Sequence, residues 1–225
     1  MSVSQNIKQI KNTLPPHVKL VAVSKTKPVA AILEAYNVGQ RAFGENKVQE
    51  MTTKAAELPT DIEWHFIGHL QTNKVKYIAP FVCLIHSIDS LKLLEVVNKE
   101  AAKNNRTIDC LLQMYIAQEE TKFGLSCDEA VELLDSDEYK ALRNIRIVGL
   151  MGMATFTDNQ TQVRQEFRNL KTCFDKIKQQ FFGGCDYFKE ISMGMSDDYP
   201  VAVEEGSTLV RIGSIIFGER NYNLK

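Results

Sequence analysis

The sequence carries no surplus of either charge: 27 Lys and Arg stand against 28 Asp and Glu, a formal net charge of -1 over 225 residues. A general nucleic-acid or membrane-surface binder needs a basic excess that this balance does not supply. No apolar run approaches the roughly 20 residues that cross a bilayer. The opening Met1-Ser2-Val3-Ser4-Gln5-Asn6-Ile7-Lys8 lacks the apolar stretch of a secretion signal. There is no G-x-G-x-x-G after any β-rich run and no P-loop, so the usual nucleotide signatures are missing. The five cysteines, at 83, 110, 127, 173 and 185, are odd in number, widely spaced and without a C-x-x-C pair. Neither a disulfide framework nor a zinc site is expected from them, and free, mostly buried thiols in a cytoplasmic protein are the simpler reading. Nor is there a linker, a low-complexity stretch or an internal repeat beyond one βα unit, which makes residues 1–225 one expected domain.

What is present is an ordinary globular composition, 44% hydrophobic and 24% charged, with a regular alternation of short β-rich runs and amphipathic stretches. The spacing predicts a helix over residues 2–13, closed by Pro15-Pro16, then a strand over 18–24 and a helix entered at Pro28 and stopped at Gly39. Further strands are predicted over 41–45, 64–68, 84–88, 110–116, 145–151, 188–193 and 208–212. Val163, Phe167, Leu170, Phe174 and Ile177 step by four and three along one helical face. Eight strands alternating with helices demand parallel pairing and predict a single (β/α)8 TIM-type barrel, with an open doubly wound sheet as runner-up.

In such a barrel the chemistry collects where the strands end. Alternation along Val21, Val23 and Lys25 aims Lys25 toward the barrel mouth, where apolar walls favour the neutral, nucleophilic amine; Lys27, two residues on, is expected to stay exposed. Arg211, between Val210 and Ile212, is expected inside the barrel, satisfied either by a carboxylate such as Glu45 or by the ring nitrogen of a pyridine cofactor. Ser192, Ser196, Gly213 and Ser214 supply the hydroxyls and amides of a phosphate cradle after strands seven and eight. Ser196 taken alone is read rather as a helix cap, with Asp197 and Asp198 in the first turn. His65 and His69 lack an evident third ligand, and no metal is expected. Glu119-Glu120-Thr121-Lys122 reads as a solvated charged loop whose lysine could reach the pocket. A strand-one lysine, a phosphate cradle and a neighbouring arginine together describe a pocket for pyridoxal 5'-phosphate (PLP).

Ser24-Lys25-Thr26-Lys27-Pro28, Phe43-Gly44-Glu45-Asn46 with Gln49-Glu50, His65-Phe66-Ile67-Gly68 with Leu70-Gln71-Thr72-Asn73-Lys74, Ser192-Met193-Gly194-Met195-Ser196-Asp197-Asp198, and Val210-Arg211-Ile212-Gly213 with Phe217-Gly218 resemble the pyridoxal phosphate homeostasis proteins, the YggS/PROSC family, from end to end. The resemblance implies a barrel like the amino-terminal domain of alanine racemase, with PLP held on Lys25 as a Schiff base and Arg211 facing the pyridine nitrogen. It further implies Ser192, Gly213 and Ser214 on the phosphate, and Asn46 near the cofactor. A protein that buffers PLP or delivers it to apo PLP-dependent enzymes, without robust turnover, is the implied function; a monomer is expected because little of the chain remains after strand eight to build a large interface. The chain stops soon after strand eight, so the further domain that gives the racemase its second base is not expected. A PLP-dependent amino-acid racemase and a phosphosugar aldolase acting through Lys25 are the alternatives.

Overall fold

The computed structural model describes residues 2–117 and 123–219. Helix α1 (Val3–Thr13) opens on a capping box, in which the Ser2 hydroxyl accepts the Gln5 N–H and the Gln5 side chain accepts the Ser2 N–H. Strands β1 (Lys19–Val23), β2 (Ala42–Glu45), β3 (Glu63–Phe66) and β4 (Leu84–Ile88) form the first half of the wall. Strands β5 (Ile108–Met114), β6 (Ile145–Gly152), β7 (Glu190–Ser192) and β8 (Leu209–Ile212) form the second. Each pairs in parallel with the next, and β8 returns to β1 through Lys19↔Leu209 to Ala22↔Ile212, so the sheet is a closed barrel. The expected (β/α)8 barrel is the observed fold.

Between the strands lie α2 (Val29–Asn37), α3 (Val48–Glu57), a 3-10 turn (Thr72–Lys74) running into α4 (Val75–Ile78), and α5 (Leu91–Lys103). The outer layer continues with α6 (Cys127–Asp135), α7 (Asp137–Ala141), α8 (Gln160–Phe181), α9 (Tyr199–Glu204) and α10 (Ser214–Phe217). Pro28 stands just before the first turn of α2, as its N-cap, because its fixed backbone angle suits an entry and its missing N–H is not needed there.

Alternation divides the apolar residues into two clusters. Leu20, Ala22, Phe43, Trp64, Phe66, Ile85, Ile191, Val210 and Ile212 join the helices in the large outer core, whereas Leu84, Leu111, Val148, Met151 and Leu209 meet inside the barrel. The stripe read on α8 is the buried face of that helix, with Val163, Phe167, Leu170, Phe174 and Ile177 all inside. Phe188, fully buried, stacks on Phe174 and Phe182. The β7·β8 seam has little direct register, Ser192↔Leu209. There the Ser207 hydroxyl, bonded to the carbonyls of Ile191, Met193 and Leu209, helps to close the wall.

The cysteines differ from expectation. Cys127, at the first position of α6, is joined by a disulfide to Cys173 on the buried face of α8, with Cα atoms 5.8 Å apart across 46 residues. Two helices adjacent in the barrel's outer ring bring together cysteines whose sequence spacing shows no pairing, while Cys83, Cys110 and Cys185 are free.

Truncating the α8 stripe at its fully buried centre, Phe167→Ala, is expected to lower unfolding free energy by about 3–5 kcal/mol, the usual toll for an aromatic cavity in a closed core. Denaturant midpoints with unchanged slope would check it; a shift no larger than that of an exposed residue would mean that α8 is not locked to the barrel.

Candidate ligand-binding site

At the carboxyl ends of the strands lies a cavity of about 270 Å³ whose lining includes Val23, Lys25, Asn46, Ile67, Arg211 and Gly213. Lys25 is half-buried in its wall, as the alternation from Val21 and Val23 requires. Lys27 also lines it but is not the exposed side chain expected: its ammonium donates to the carbonyls of Phe217, Gly218 and Glu219 at 2.9–3.0 Å, closing off the end of α10. The Asn46 Oδ1 is a buried acceptor with no partner among the described residues.

Arg211 enters from β8 and is buried on the inner side of the wall. Its guanidinium donates to the Ser192 carbonyl at 2.8 Å, the Ser192 hydroxyl at 2.5 Å and the Gly152 carbonyl at 3.0 Å. Burial lowers its pKa to about 10, partly opposed by the charge of Asp198, which still leaves it protonated at neutral pH. The carboxylate partner considered from sequence, Glu45, is excluded by the strand period: Gly44 faces the interior, against Val21 and Ile67, so Glu45 points outward, where Lys54 and Ser24 receive it.

Ser192 is fully buried and is not among the residues lining the cavity. Its hydroxyl sits between Arg211 and the His86 Nδ1 at 2.9 Å, and His86 Nε2 meets His65 Nδ1 at 2.9 Å. A file of polar side chains therefore runs down the barrel behind the arginine. Burial holds the His65 pKa at about 3 and places that of His86 well below the ordinary value.

Ser196 does line the cavity, and it is not the cap it was expected to be. Helix α9 starts later, at Tyr199 with Asp198 as N-cap, and Asp198 Oδ1 accepts the Met195 N–H at 2.5 Å. On the other side, α10 begins at once after β8 with Gly213 as its N-cap, so a helix does follow that strand directly. A Cβ at Gly213 would lie 3.2 Å from the Val23 carbonyl oxygen, a close approach that favours glycine where β8 passes β1. Gly213, Ser214 and Ser196 thus border one side of the cavity, with Asp197 beside them.

The turn carrying Lys25 is held from behind. The Lys27 N–H bonds the Ser24 carbonyl at 3.0 Å, and Thr26 between them adopts φ +64°, costly for a β-branched residue by about 1–3 kcal/mol. Lys54, buried on α3, directs its three N–H bonds to the Ser24 carbonyl (2.8 Å), Glu45 Oε1 (2.8 Å) and Glu50 Oε1 (2.6 Å). Glu50 Oε1 also accepts the Thr26 N–H at 2.5 Å. Burial raises the Glu45 carboxyl above its usual range, and Lys54 opposes that shift. Sequence reasoning missed Lys54 and His86. The i,i+4 spacing of Glu50 and Lys54 could have shown that they pair, but not that they grip the Lys25 turn.

His65 and His69 are not brought together: His65 lies inside the barrel, and His69 is exposed near Asp89. Among the described residues, the group of three able to ligate a metal is Glu63, His65 and Cys83, and there Glu63 is already paired with Lys19. Lys122 falls outside the described residues.

A model of the alanine racemase N-terminal domain family matches residues 2–221, which fixes the class of barrel. The pyridoxal phosphate homeostasis protein of Aquifex aeolicus is 44% identical over 206 residues, covering 91% of this chain and 88% of that protein; its human counterpart is 39% identical, covering 92% and 78%. PipY of Synechococcus elongatus, solved with and without PLP, is 36% identical and covers 96% of this chain and 100% of that one, with TM-scores of 0.88 and 0.90. Alanine racemase from Clostridium difficile, 16% identical with a TM-score of 0.76, shares the fold over 99% of this chain and 60% of its own. The chain belongs to the family of pyridoxal phosphate homeostasis proteins.

The buried histidines give the fold an acid sensitivity. As pH falls below the ordinary histidine value of 6.5, the unfolded chain takes up protons that the neutral rings in the barrel refuse, so stability falls. The slope from each ring is at most about 1.4 kcal/mol per pH unit. The carboxyls of Glu45 and Asp198, raised by burial, act in the opposite sense. The comparison is therefore differential: His65→Gln is expected to flatten the fall of the urea midpoint between pH 6.5 and 5, and an unchanged slope would refute this origin.

Proposed function

We propose that the chain binds PLP in this cavity and serves intracellular PLP homeostasis, carrying the cofactor as a Schiff base on Lys25 without robust turnover. The supporting observation is a single cavity that presents a half-buried primary amine, a fixed guanidinium, a partnerless buried acceptor on Asn46, and hydroxyl and amide groups at Ser196, Gly213 and Ser214. These groups fit an aldehyde, a pyridine ring with its hydroxyl, and a phosphate. Lys25 Nζ would be the amine that holds the aldehyde carbon as a Schiff base, the aldehyde oxygen leaving as water.

Asn46 would accept the ring hydroxyl, and Gly213, Ser214 and Ser196 would hold the phosphate. Ser192 takes part by holding Arg211. When bound, PLP supplies an electron sink, but Arg211 offers only donors and so favours an unprotonated ring nitrogen, which weakens that sink. Racemisation needs a second base across the substrate. Among the described lining residues the other ionisable groups are Lys27, committed to three carbonyls, and Asp197. These features favour a carrier or buffer that serves apo PLP-dependent enzymes over a racemase.

The test is the visible spectrum of the protein with added PLP, before and after borohydride reduction, in the native chain and in Lys25→Ala. The expected result is an imine band trapped by reduction in the native chain and abolished by the substitution. A native chain without the band would overturn the reading, and α-proton exchange from an added amino acid would move the racemase ahead.

A further inference from the structure

We infer that Glu50 and Lys54 are positioning residues for Lys25, setting the turn from which its amine reaches an aldehyde; this rests on the Schiff-base reading above. The observation is that the two side chains, one helical turn apart on α3, grip the peptide groups on either side of the lysine. Lys54 Nζ takes the Ser24 carbonyl at 2.8 Å, Glu50 Oε1 takes the Thr26 N–H at 2.5 Å, and the two bond each other at 2.6 Å.

Their location shows what they control. Ser24 and Glu45 lie on the outer side of the wall, so Lys54, seated between Glu45 and Glu50, pulls on the turn from behind while Lys25 projects from it into the cavity. The anchored turn is one the local sequence resists, because Thr26 sits at φ +64°, where a β-branched side chain is crowded by its own backbone. Released from Glu50, the Thr26 peptide would relax, and the direction of the Lys25 Cα–Cβ bond would change with it. A lysine has four flexible side-chain bonds, and an imine forms only when Nζ and the carbonyl carbon are held within about 3–3.5 Å in the correct orientation. Fixing the base of the side chain raises the effective concentration of the amine.

The phosphate side of the cavity, at Ser196, Gly213 and Ser214, stands on other strands and makes none of these bonds. Its tie to the turn runs through Lys27, which bonds the far end of α10 and neither Glu50 nor Lys54, so the contribution of the Glu50–Lys54 grip is separable by ligand. PLP can form the imine, whereas pyridoxine 5'-phosphate has the same ring and phosphate with an alcohol in place of the aldehyde and cannot.

The experiment measures the affinity of the full chain for both compounds, the borohydride-trapped fraction with PLP, and the melting temperature, in the native protein and in Glu50→Ala, Glu50→Gln and Lys54→Met. Glu50→Ala is expected to lose about tenfold in PLP affinity, the equivalent of one charge-assisted hydrogen bond, with a matching fall in trapping, while binding of pyridoxine phosphate stays within about twofold. Glu50→Gln keeps an acceptor for the Thr26 N–H and is expected to retain most of the trapping. It also keeps the test decisive should Lys54→Met, which leaves Glu45 without its cation, fail to fold. Equal losses for both ligands would show that the cluster only supports the fold, and no loss for either would show that the turn needs no anchor; each overturns the proposal while leaving Lys25 as the carrier. Absence of trapping in the native chain would instead remove the parent reading and this one with it.

Discussion

Closing eight parallel strands into a ring leaves each residue of the wall one of two directions, and every feature of the site depends on that constraint. Val210 and Ile212 belong to the helix-packed core, so Arg211 between them must face inward. Phe43 belongs to the same core, so Gly44 faces inward and Glu45 does not. A shift of one residue in either strand would put a bare guanidinium among the helices, or a carboxylate among Leu84, Leu111 and Leu209. The apolar periodicity of the strands thus fixes the polar contents of the barrel.

Those contents are unusually polar for a barrel centre, and the arrangement shows why they are tolerated. Arg211 has its neighbours bonded on the inside through Ser192 and Gly152, Ser192 is shared with His86, and His86 with His65. Each member satisfies the next as far as His65, so burying the series avoids part of the penalty of isolated polar groups, and the His65 Nε2 at its end is left without a partner among the described residues. The outward-facing ion cluster works by the same rule. Lys54 has its three donors occupied and pairs with Oε1 of both Glu45 and Glu50, while Glu45 Oε2 is left buried without a partner among the described residues.

The barrel itself was legible because both of its signals are local: β-rich runs of four to eight residues, and a helix stripe such as Val163 to Ile177. Lys25, Asn46, Arg211, Gly213 and Ser214 were also legible as residues at strand ends, and the structure gathers them around one cavity. The misplaced groups share a different cause. Whether Ser192 lines the cavity or lies beneath it depends on where β7 stops, and that strand is only three residues long. Whether Ser196 caps a helix depends on whether α9 begins at 197 or 199. His86 lies 106 residues from Ser192, and Cys127 46 residues from Cys173, and pairing of that kind leaves no trace in spacing.

The two sides of the cavity are linked, although they come from opposite ends of the sequence. The turn after β1 carries Lys25 inward and, two residues later, Lys27, whose ammonium binds the carbonyls that end α10. The start of α10, Gly213 and Ser214, borders the same cavity, and the β1–β8 pairing that closes the barrel runs directly beneath it. Lys54 and Glu50 then fasten that turn to α3. An anchor on Ser24 and Thr26 behind the wall, and a second through Lys27 at its rim, hold the backbone of the turn at both ends. A backbone fixed in this way keeps the Lys25 Cα and the start of α10 in register across the cavity, which is the pre-organisation that a binding site for one rigid ligand requires.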